Sequence, residues 1–252
     1  MSEENDSLIE KNAKEYDAHA QSWQVSMSTN MGHKYLEKPA MENELPVTFE
    51  GKAVLCIGVG SGDELQDILR RHPAHVTGID ISNELLNIAK SRFPDVEVKK
   101  MDMSAMDFPD ATFDYVYSSL TFHYAPDWDV LCSEIYRVLK KGGKLLFSTH
   151  HPDYWSRKTP TGKSYTNDRR VTLTEHAAIL PGDVKIIYYN HTDTDSINEA
   201  LSHAGFNIEK SFVPFVVEVD ANTLPVQDKE GYAKLKTKNT ESPLFYLIKA
   251  TK

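Results

Sequence analysis

The stretch VLCIGVGSGDE, from Val54 to Glu64, decides the fold that this sequence predicts. An apolar run typical of a buried strand leads into Gly58, Gly60 and Gly62, and two acidic residues typical of a first helical turn follow. Glycines at such a bend allow positive φ angles and let a ligand approach the bare backbone. The stretch therefore predicts a strand, a ligand-binding turn and a helix in direct succession.

Short β-rich runs alternate with helical patterns on the carboxyl side of this stretch. Strands are predicted over 53–58, 75–80, 96–100, 113–118 and 144–149, and helices over 63–72, 83–91 and 127–139. A helix over 195–204 and strands over 207–217 and 243–250 complete the pattern. Such alternation predicts an α/β fold, a Rossmann-like doubly wound sheet whose parallel strands have helices on both faces.

Two segments are predicted to lie outside this alternation. Residues 1–50 carry apolar residues at loosely helical spacing, which indicates an N-terminal helical cap in front of a domain over 51–252. A polar stretch rich in Pro, Gly and aromatic residues indicates an insertion over 152–192, which we interpret as a lid. Residues 220–240 contain four lysines and are predicted to form a solvated loop.

Charge and composition limit the partners. The chain has 37 acidic and 28 basic residues and a net charge of −9, which repels phosphate backbones, so we expect no nucleic-acid partner. No apolar run approaches about 18 residues and the amino terminus is polar, so we expect a cytoplasmic protein without membrane insertion. Cys56 and Cys132 lie in apolar patterns typical of reduced core thiols. A homodimer is compatible with this composition.

The glycine-rich turn alone does not identify its ligand, because NAD and FAD domains use nearly the same bend. In the dinucleotide pattern G-x-G-x-x-G the third glycine would stand at position 63, where this chain has Asp63. A carboxylate at that place competes with a pyrophosphate for the helix amino terminus. Asp80 ends the second strand, 18 residues past Gly62, where it can accept hydrogen bonds from ribose hydroxyls of either cofactor.

The end of the third predicted strand distinguishes the cofactors better. Asp102 is followed by Met103, which places a carboxylate and a soft apolar side chain at the rim of the sheet. An adenine amino group can donate to Asp102 while Met103 and Ile81 flank the ring. Together with the glycine turn and Asp80, these residues form an ordered set that favours an adenosine ligand without phosphate.

With these motifs the sequence resembles the class I S-adenosylmethionine-dependent methyltransferases, in particular the small-molecule group that includes ubiquinone and menaquinone biosynthesis methylases. GIDIS, KKMDM, DFPDATFDYVYSSLTFHY and EIYRVLKKGGKLLFS resemble successive motifs of that family, over roughly 50–150. The resemblance implies strand order 3214576, with PLFYLIKA as an antiparallel last strand. It also implies S-adenosyl-L-methionine as cofactor and S-adenosyl-L-homocysteine as product. The residues expected to bind the cofactor are Tyr16, Trp23, Gly58, Val59, Gly60, Gly62, Asp80, Ile81, Ser82, Asp102, Met103, Ser119 and Leu120.

Three histidines are candidates for a base in methyl transfer. The reaction is an in-line displacement that depends mainly on alignment and exclusion of water, so a base is optional. His123 follows the fourth strand, and His150 and His151 end the fifth, at the edge where such folds bind ligands. Each can remove an acceptor proton or simply line the pocket. No third ligand follows the paired histidines at metal-site spacing, so we expect no metal.

The acceptor is expected to be a small molecule, methylated at O, N or C. The segment SSLTFHY lacks the Asp/Asn-Pro-Pro-aromatic motif of amino-methylating DNA enzymes, and no Pro-Cys nucleophile is present. Two alternatives remain open from the sequence. One is an NAD-dependent oxidoreductase, which shares the bend and Asp80, and the other is a non-catalytic cofactor-binding protein of the same fold.

Overall fold

The computed structural model describes residues 3–152, 170–173, 186–189, 193–220, 222–241 and 243–252. Its helices are α1 (Glu3–Thr29), a π-helical turn (His33–Glu37), α2 (Lys38–Glu44), α3 (Leu65–Leu69), α4 (Asn83–Arg92), α5 (Trp128–Val138), α6 (Thr194–Ala204) and α7 (Lys229–Glu241), with 3-10 turns at Phe122–Tyr124 and Val226–Asp228. Its strands are β1 (Ala53–Ile57), β2 (His75–Asp80), β3 (Glu97–Lys100), β4 (Phe113–Ser118), β5 (Leu139–His150), β6 (Arg170–Leu173), β7 (Ile186–Tyr189), β8 (Asn207–Phe212) and β9 (Phe245–Thr251).

Seven strands form one sheet in the order β3-β2-β1-β4-β5-β9-β8. Strands β1 to β5 pair in parallel, whereas β9 runs antiparallel to both β5 and β8. With the separate antiparallel pair β6 and β7 set aside, this is the order 3214576. The predicted fold class and the antiparallel last strand are confirmed.

The central strands are buried on both faces because helices cover both. Along β1, Leu55 and Ile57 pack into one apolar cluster, whereas Val54 and Cys56 pack into the cluster on the opposite face. This explains why β1 is a continuous apolar run and not an alternating one. Helix α5 covers the first face through Leu131, Cys132, Ile135 and Val138, all fully buried at helical spacing.

Two sequence predictions of secondary structure are wrong. The segment 229–241 is helix α7 and not a loop, and among its described side chains only Tyr232 and Leu235 are buried, at i, i+3. Two apolar residues are too few to produce a clear helical period. Strand β5 begins at Leu139, directly after α5, and not at 144, and Gly142 lies within it at φ +75°. The register between β4 and β5 shifts in this region, since Phe113 pairs with Leu139 but Tyr115 pairs with Lys144.

Most of the predicted insertion over 152–192 falls outside the described residues, apart from Pro152 and the strands β6 and β7. The division into a cap, a domain and a lid therefore stays a prediction. Both cysteines are buried and free. Within the described ranges, no helix has the length and apolar character needed to cross a bilayer.

Candidate functional site

A cavity of about 490 Å³ lies where the carboxyl ends of β1, β2 and β4 meet. This volume is within the usual range of small-molecule sites. The predicted site residues that line it are Tyr16, Trp23, Gly58, Val59, Gly60, Asp80, Ile81, Asp102, Met103, Ser119, Leu120, His123 and His150. The fold thus collects, at one edge of the sheet, side chains that are far apart in the sequence.

Three predicted residues are not in the lining of this cavity. A Cβ atom on Gly62 would lie 3.1 Å from Leu65 and Phe93, so this glycine serves close packing. The buried Ser82 caps α4 by accepting the amide hydrogen of Leu85 at 3.1 Å. His151 follows the end of β5, and its ring contacts Tyr246 edge-on.

The glycine turn brings two backbone segments into contact. Gly58 has φ +66°, and a Cβ atom there would lie 2.0 Å from the Thr121 hydroxyl oxygen, so only glycine fits. Gly60 has φ +52°, and a Cβ atom there would meet nothing within 4 Å. Its amide donates to the Asp80 carboxylate at 2.9 Å. Gly58 therefore permits packing against the turn after β4, whereas Gly60 leaves bare backbone at the cavity.

The two acidic residues after the glycines have different environments. The Asp63 carboxylate pairs with Arg92 at 2.7 Å and accepts a hydrogen bond from the Ser61 hydroxyl at 2.8 Å. Because Arg92 compensates its charge, Asp63 repels phosphate less than the sequence indicated. Glu64 also lies in the cavity wall, where burial raises the pKa of its carboxyl to about 7 although the charge of His33 opposes the shift.

Asp80 and Asp102 stand at the ends of neighbouring strands and are held by backbone amides. The Asp80 oxygens accept from the amides of Gly60 at 2.9 Å and Ser82 at 3.0 Å, and burial raises the pKa of Asp80. Asp102 accepts from the Ser104 amide at 2.8 Å. A carboxylate oxygen has more than one acceptor site, so both residues keep capacity for a ligand donor.

Helix α1 crosses the cavity at the Asp80 side. The Asp17 carboxylate accepts hydrogen bonds from the Ser82 hydroxyl at 2.6 Å and the Glu84 amide at 3.0 Å, which ties α1 to the start of α4. The Tyr16 hydroxyl is hydrogen-bonded to the Tyr124 hydroxyl. This contact fastens α1 to the turn after β4, so α1 forms one wall of the site.

Two of the three candidate histidines come together in the cavity. The ring centroids of His123 and His150 are 4.3 Å apart, and His150 stacks on Phe245 at 5.9 Å. Among the described residues, no group of three His, Cys, Asp or Glu side chains is placed to bind a metal ion.

Sequence reasoning missed a buried polar network that begins at His33. Its Nδ1 lies 2.9 Å from the carboxylate of Glu37, and its Nε2 lies 3.5 Å from that of Glu64. Burial lowers the pKa of His33, but the hydrogen bond to Glu37 and the two carboxylate charges outweigh this effect and raise the pKa above 6.5. The spacing of His33 and Glu37 is visible in the sequence, but their distant partners are not.

Comparisons with known proteins agree with this geometry. A family model described as a methyltransferase domain matches residues 55–147. The chain is 35% identical over 123 residues to a phosphatidylethanolamine N-methyltransferase of Cereibacter sphaeroides, covering 46% of this chain and 60% of that protein. It is 28% identical over 183 residues to the demethylmenaquinone methyltransferase of Thermotoga maritima, covering 70% and 78%.

The chain is similar to the S-adenosylmethionine-dependent methyltransferase family, and residues 55–147 match its domain model. A crystal structure of such a methyltransferase from Mesorhizobium loti shares the fold with a TM-score of 0.63 at 23% identity, over 90% of this chain and all of that one. The cofactor of the family is S-adenosyl-L-methionine. The chain spans less than two thirds of the length of the first curated relatives that it matches.

The contact between Gly58 and Thr121 gives a first prediction. Gly58→Ala places a Cβ atom into Thr121 and forces a left-handed alanine, so the free energy of unfolding should fall by about 1–3 kcal/mol. Gly60→Ala is the matched control, because its φ is also positive but its Cβ meets open space. Urea unfolding should show a larger loss for Gly58→Ala, and equal losses would contradict the packing argument.

The Glu64 carboxyl gives a second prediction. The Glu64 carboxyl binds a proton more tightly in the folded state than in the unfolded chain. The stability that this protonation contributes is therefore lost as pH rises through about 7. Because Glu64→Gln removes this proton equilibrium, the stability of the variant relative to wild type should rise by about 2 kcal/mol between about pH 5 and about pH 8.

Urea unfolding at the two pH values measures this difference. Glu84→Gln removes an exposed carboxylate and is the matched control for the loss of a carboxylate. If Glu64→Gln behaved in the same way, the raised pKa of Glu64 would be refuted.

Proposed function

We propose that this chain transfers the methyl group of S-adenosyl-L-methionine to a small-molecule acceptor, at O, N or C. The observation that carries the proposal is that one cavity contains the bare backbone of Gly60, the carboxylates of Asp80 and Asp102, and the paired rings of His123 and His150. The family match supports the choice of cofactor over a dinucleotide.

The proposed contacts of the adenosine portion follow the strand ends. Asp80 accepts from the ribose hydroxyls, and Asp102 accepts from the adenine amino group, between Met103 and Ile81. Tyr16, Trp23, Ser119 and Leu120 line the same cavity and complete the walls around the cofactor.

The amino-acid portion is proposed to face His33 and Glu64. These two side chains lie in the cavity wall with Nε2 and Oε1 3.5 Å apart, so a basic and an acidic group stand side by side there. An α-amino acid also carries an ammonium and a carboxylate close together. Glu64 therefore fits the ammonium and His33 fits the carboxylate.

When bound, the cofactor supplies an activated methyl group that an acceptor displaces in line. His123 and His150 are proposed to take the acceptor proton where the acceptor is a hydroxyl or an acidic carbon. Apolar side chains of Met27, Met31 and Phe245 line the cavity as well and exclude water from the acceptor.

Relatives support an acceptor with an apolar body. The names of two of them specify phosphatidylethanolamine and demethylmenaquinone, which both combine a long apolar part with a reactive headgroup. The methionines and Phe245 provide an adaptable apolar surface of the kind that such molecules need. The negative charge of the chain, −9, disfavours a nucleic acid.

The proposal is tested by incubating the protein with S-adenosyl-L-methionine and a panel of acceptors, and by measuring S-adenosyl-L-homocysteine. The panel contains phosphatidylethanolamine, a reduced demethylmenaquinone, a fatty acid and, as a negative control, RNA. We expect product with at least one of the apolar acceptors and none with RNA. Equilibrium dialysis that showed binding of NADH but not of S-adenosyl-L-methionine would overturn the proposal.

The proposed adenosine contacts give a third prediction. Asp80→Ala and Asp102→Ala should each weaken binding of S-adenosyl-L-homocysteine by about 1–3 kcal/mol, because each removes hydrogen-bond acceptors. Asp107→Ala removes an exposed carboxylate outside the cavity and should leave the affinity unchanged. Isothermal titration calorimetry measures these affinities. Unchanged affinity in both cavity variants would refute the assignment.

The paired histidines give a fourth prediction. His123→Asn and His150→Asn should lower kcat for a hydroxyl acceptor. Replacing a residue that acts as general base should lower kcat by about 10²–10⁴-fold. The dissociation constant of S-adenosyl-L-homocysteine should change much less, because the base acts on the acceptor. A loss of less than about threefold in both variants would show that the rings only line the pocket.

A further inference from the structure

The turn after β4 contains a backbone conformation that needs support. Leu120 has φ +48°, which is a left-handed conformation that a branched side chain rarely adopts. The residues Ser119, Leu120 and Thr121 all line the cavity, and Thr121 packs on Gly58. The shape of one wall of the site therefore depends on a strained residue.

Ser148 holds this residue from the neighbouring strand β5. The Leu120 amide donates to the Ser148 carbonyl at 3.1 Å and also to the Ser148 hydroxyl oxygen at 3.0 Å. The hydroxyl can accept this bond only when its own hydrogen points elsewhere. It donates that hydrogen to the carboxylate of Glu37. Glu37 therefore sets the orientation of the hydroxyl that holds Leu120.

The carboxylate of Glu37 is fully buried but well supplied with donors. Besides Ser148, the Ser119 hydroxyl donates to Oε1 at 2.9 Å, and His33 Nδ1 lies 2.9 Å from Oε2. A buried charge is costly unless it is paired and hydrogen-bonded, and here three side chains provide that compensation. Glu37 lies on the π-helical turn, 82 residues from Ser119 and 111 residues from Ser148 in the chain.

We propose that Glu37 is a positioning residue, whose buried carboxylate holds the turn at 119–121 in the conformation that receives the cofactor. It acts through Ser148 and Ser119 and does not itself touch the ligand. The part of the proposal that concerns the cofactor rests on the proposed function. The part that concerns the turn can be tested without any ligand.

The first experiment measures the hydrogen-exchange rate of the Leu120 amide in the ligand-free protein. Glu37→Leu removes the acceptor, and Ser148→Ala removes the hydroxyl, so both should raise this rate by about tenfold or more. Glu37→Gln keeps an oxygen that accepts from both serines, so its Leu120 exchange rate should stay within about threefold of the wild-type rate.

Ser118→Ala is the matched control for this measurement. It also removes a buried serine hydroxyl, but that hydroxyl donates to the Ile57 carbonyl at 3.0 Å and not to Glu37. The exchange rate of the Leu120 amide in Ser118→Ala should remain within about threefold of the wild-type rate. A wild-type exchange rate in Ser148→Ala, or an equal increase in Ser118→Ala, would overturn the proposal even if Glu37→Leu failed to fold.

The second experiment measures the dissociation constant of S-adenosyl-L-homocysteine by calorimetry. Ser148→Ala should weaken binding by about tenfold in the wild-type background but by less than about threefold in a Leu120→Gly background. Glycine adopts a positive φ without support, so the hydroxyl is no longer needed there. Equal losses in both backgrounds would overturn the proposal. If wild type did not bind the ligand, the proposed function would fail, whereas the exchange experiment would still decide the role of Glu37.

Discussion

The whole site depends on the close approach of two backbone turns, at Gly58 and Thr121. Any side chain at position 58 would collide with Thr121, so the turn after β1 and the turn after β4 can meet only through a glycine. Parallel pairing of β1 with β4 brings these turns to the same edge of the sheet. The contact then fixes one end of the cavity, and Gly60 beside it leaves backbone exposed to a ligand.

The charges around this contact explain why the site suits the proposed cofactor. Four acidic side chains, Asp63, Glu64, Asp80 and Asp102, lie in the cavity wall. Such a wall favours a ligand with hydrogen-bond donors and positive charge, and it disfavours a pyrophosphate. S-adenosyl-L-methionine carries an amino group, two ribose hydroxyls and a sulfonium. Asp63, which the sequence suggested as the residue that repels phosphate, is instead paired with Arg92.

The sequence predicted the sheet well because strong local signals describe it. The continuous apolar run of β1 and the acidic residues at the ends of β2 and β3 are readable without tertiary information. Helix α7 was missed because its exposed lysines conceal a short apolar face formed by Tyr232 and Leu235. Its residues Lys234 and Leu235 also line the cavity, so the wall that they form was missed as well.

The polar network of Glu37 was beyond sequence reasoning for a different reason. Its bonds join the π-helical turn to Ser119 and Ser148, and no local pattern marks residues so far apart as neighbours. The positive φ of Leu120 is equally invisible, because leucine gives no turn signal. Both features depend on how the segment before β1 packs on the ends of β4 and β5.

A crystal structure with bound S-adenosyl-L-homocysteine tests the central claim most directly. We expect the adenine amino group within hydrogen-bond distance of Asp102, the ribose hydroxyls at Asp80, and the amino-acid end beside Glu64 and His33. The sulfur should face the side of the cavity that holds His123 and His150. A ligand bound elsewhere, or one whose adenosine lies away from both aspartates, would contradict it.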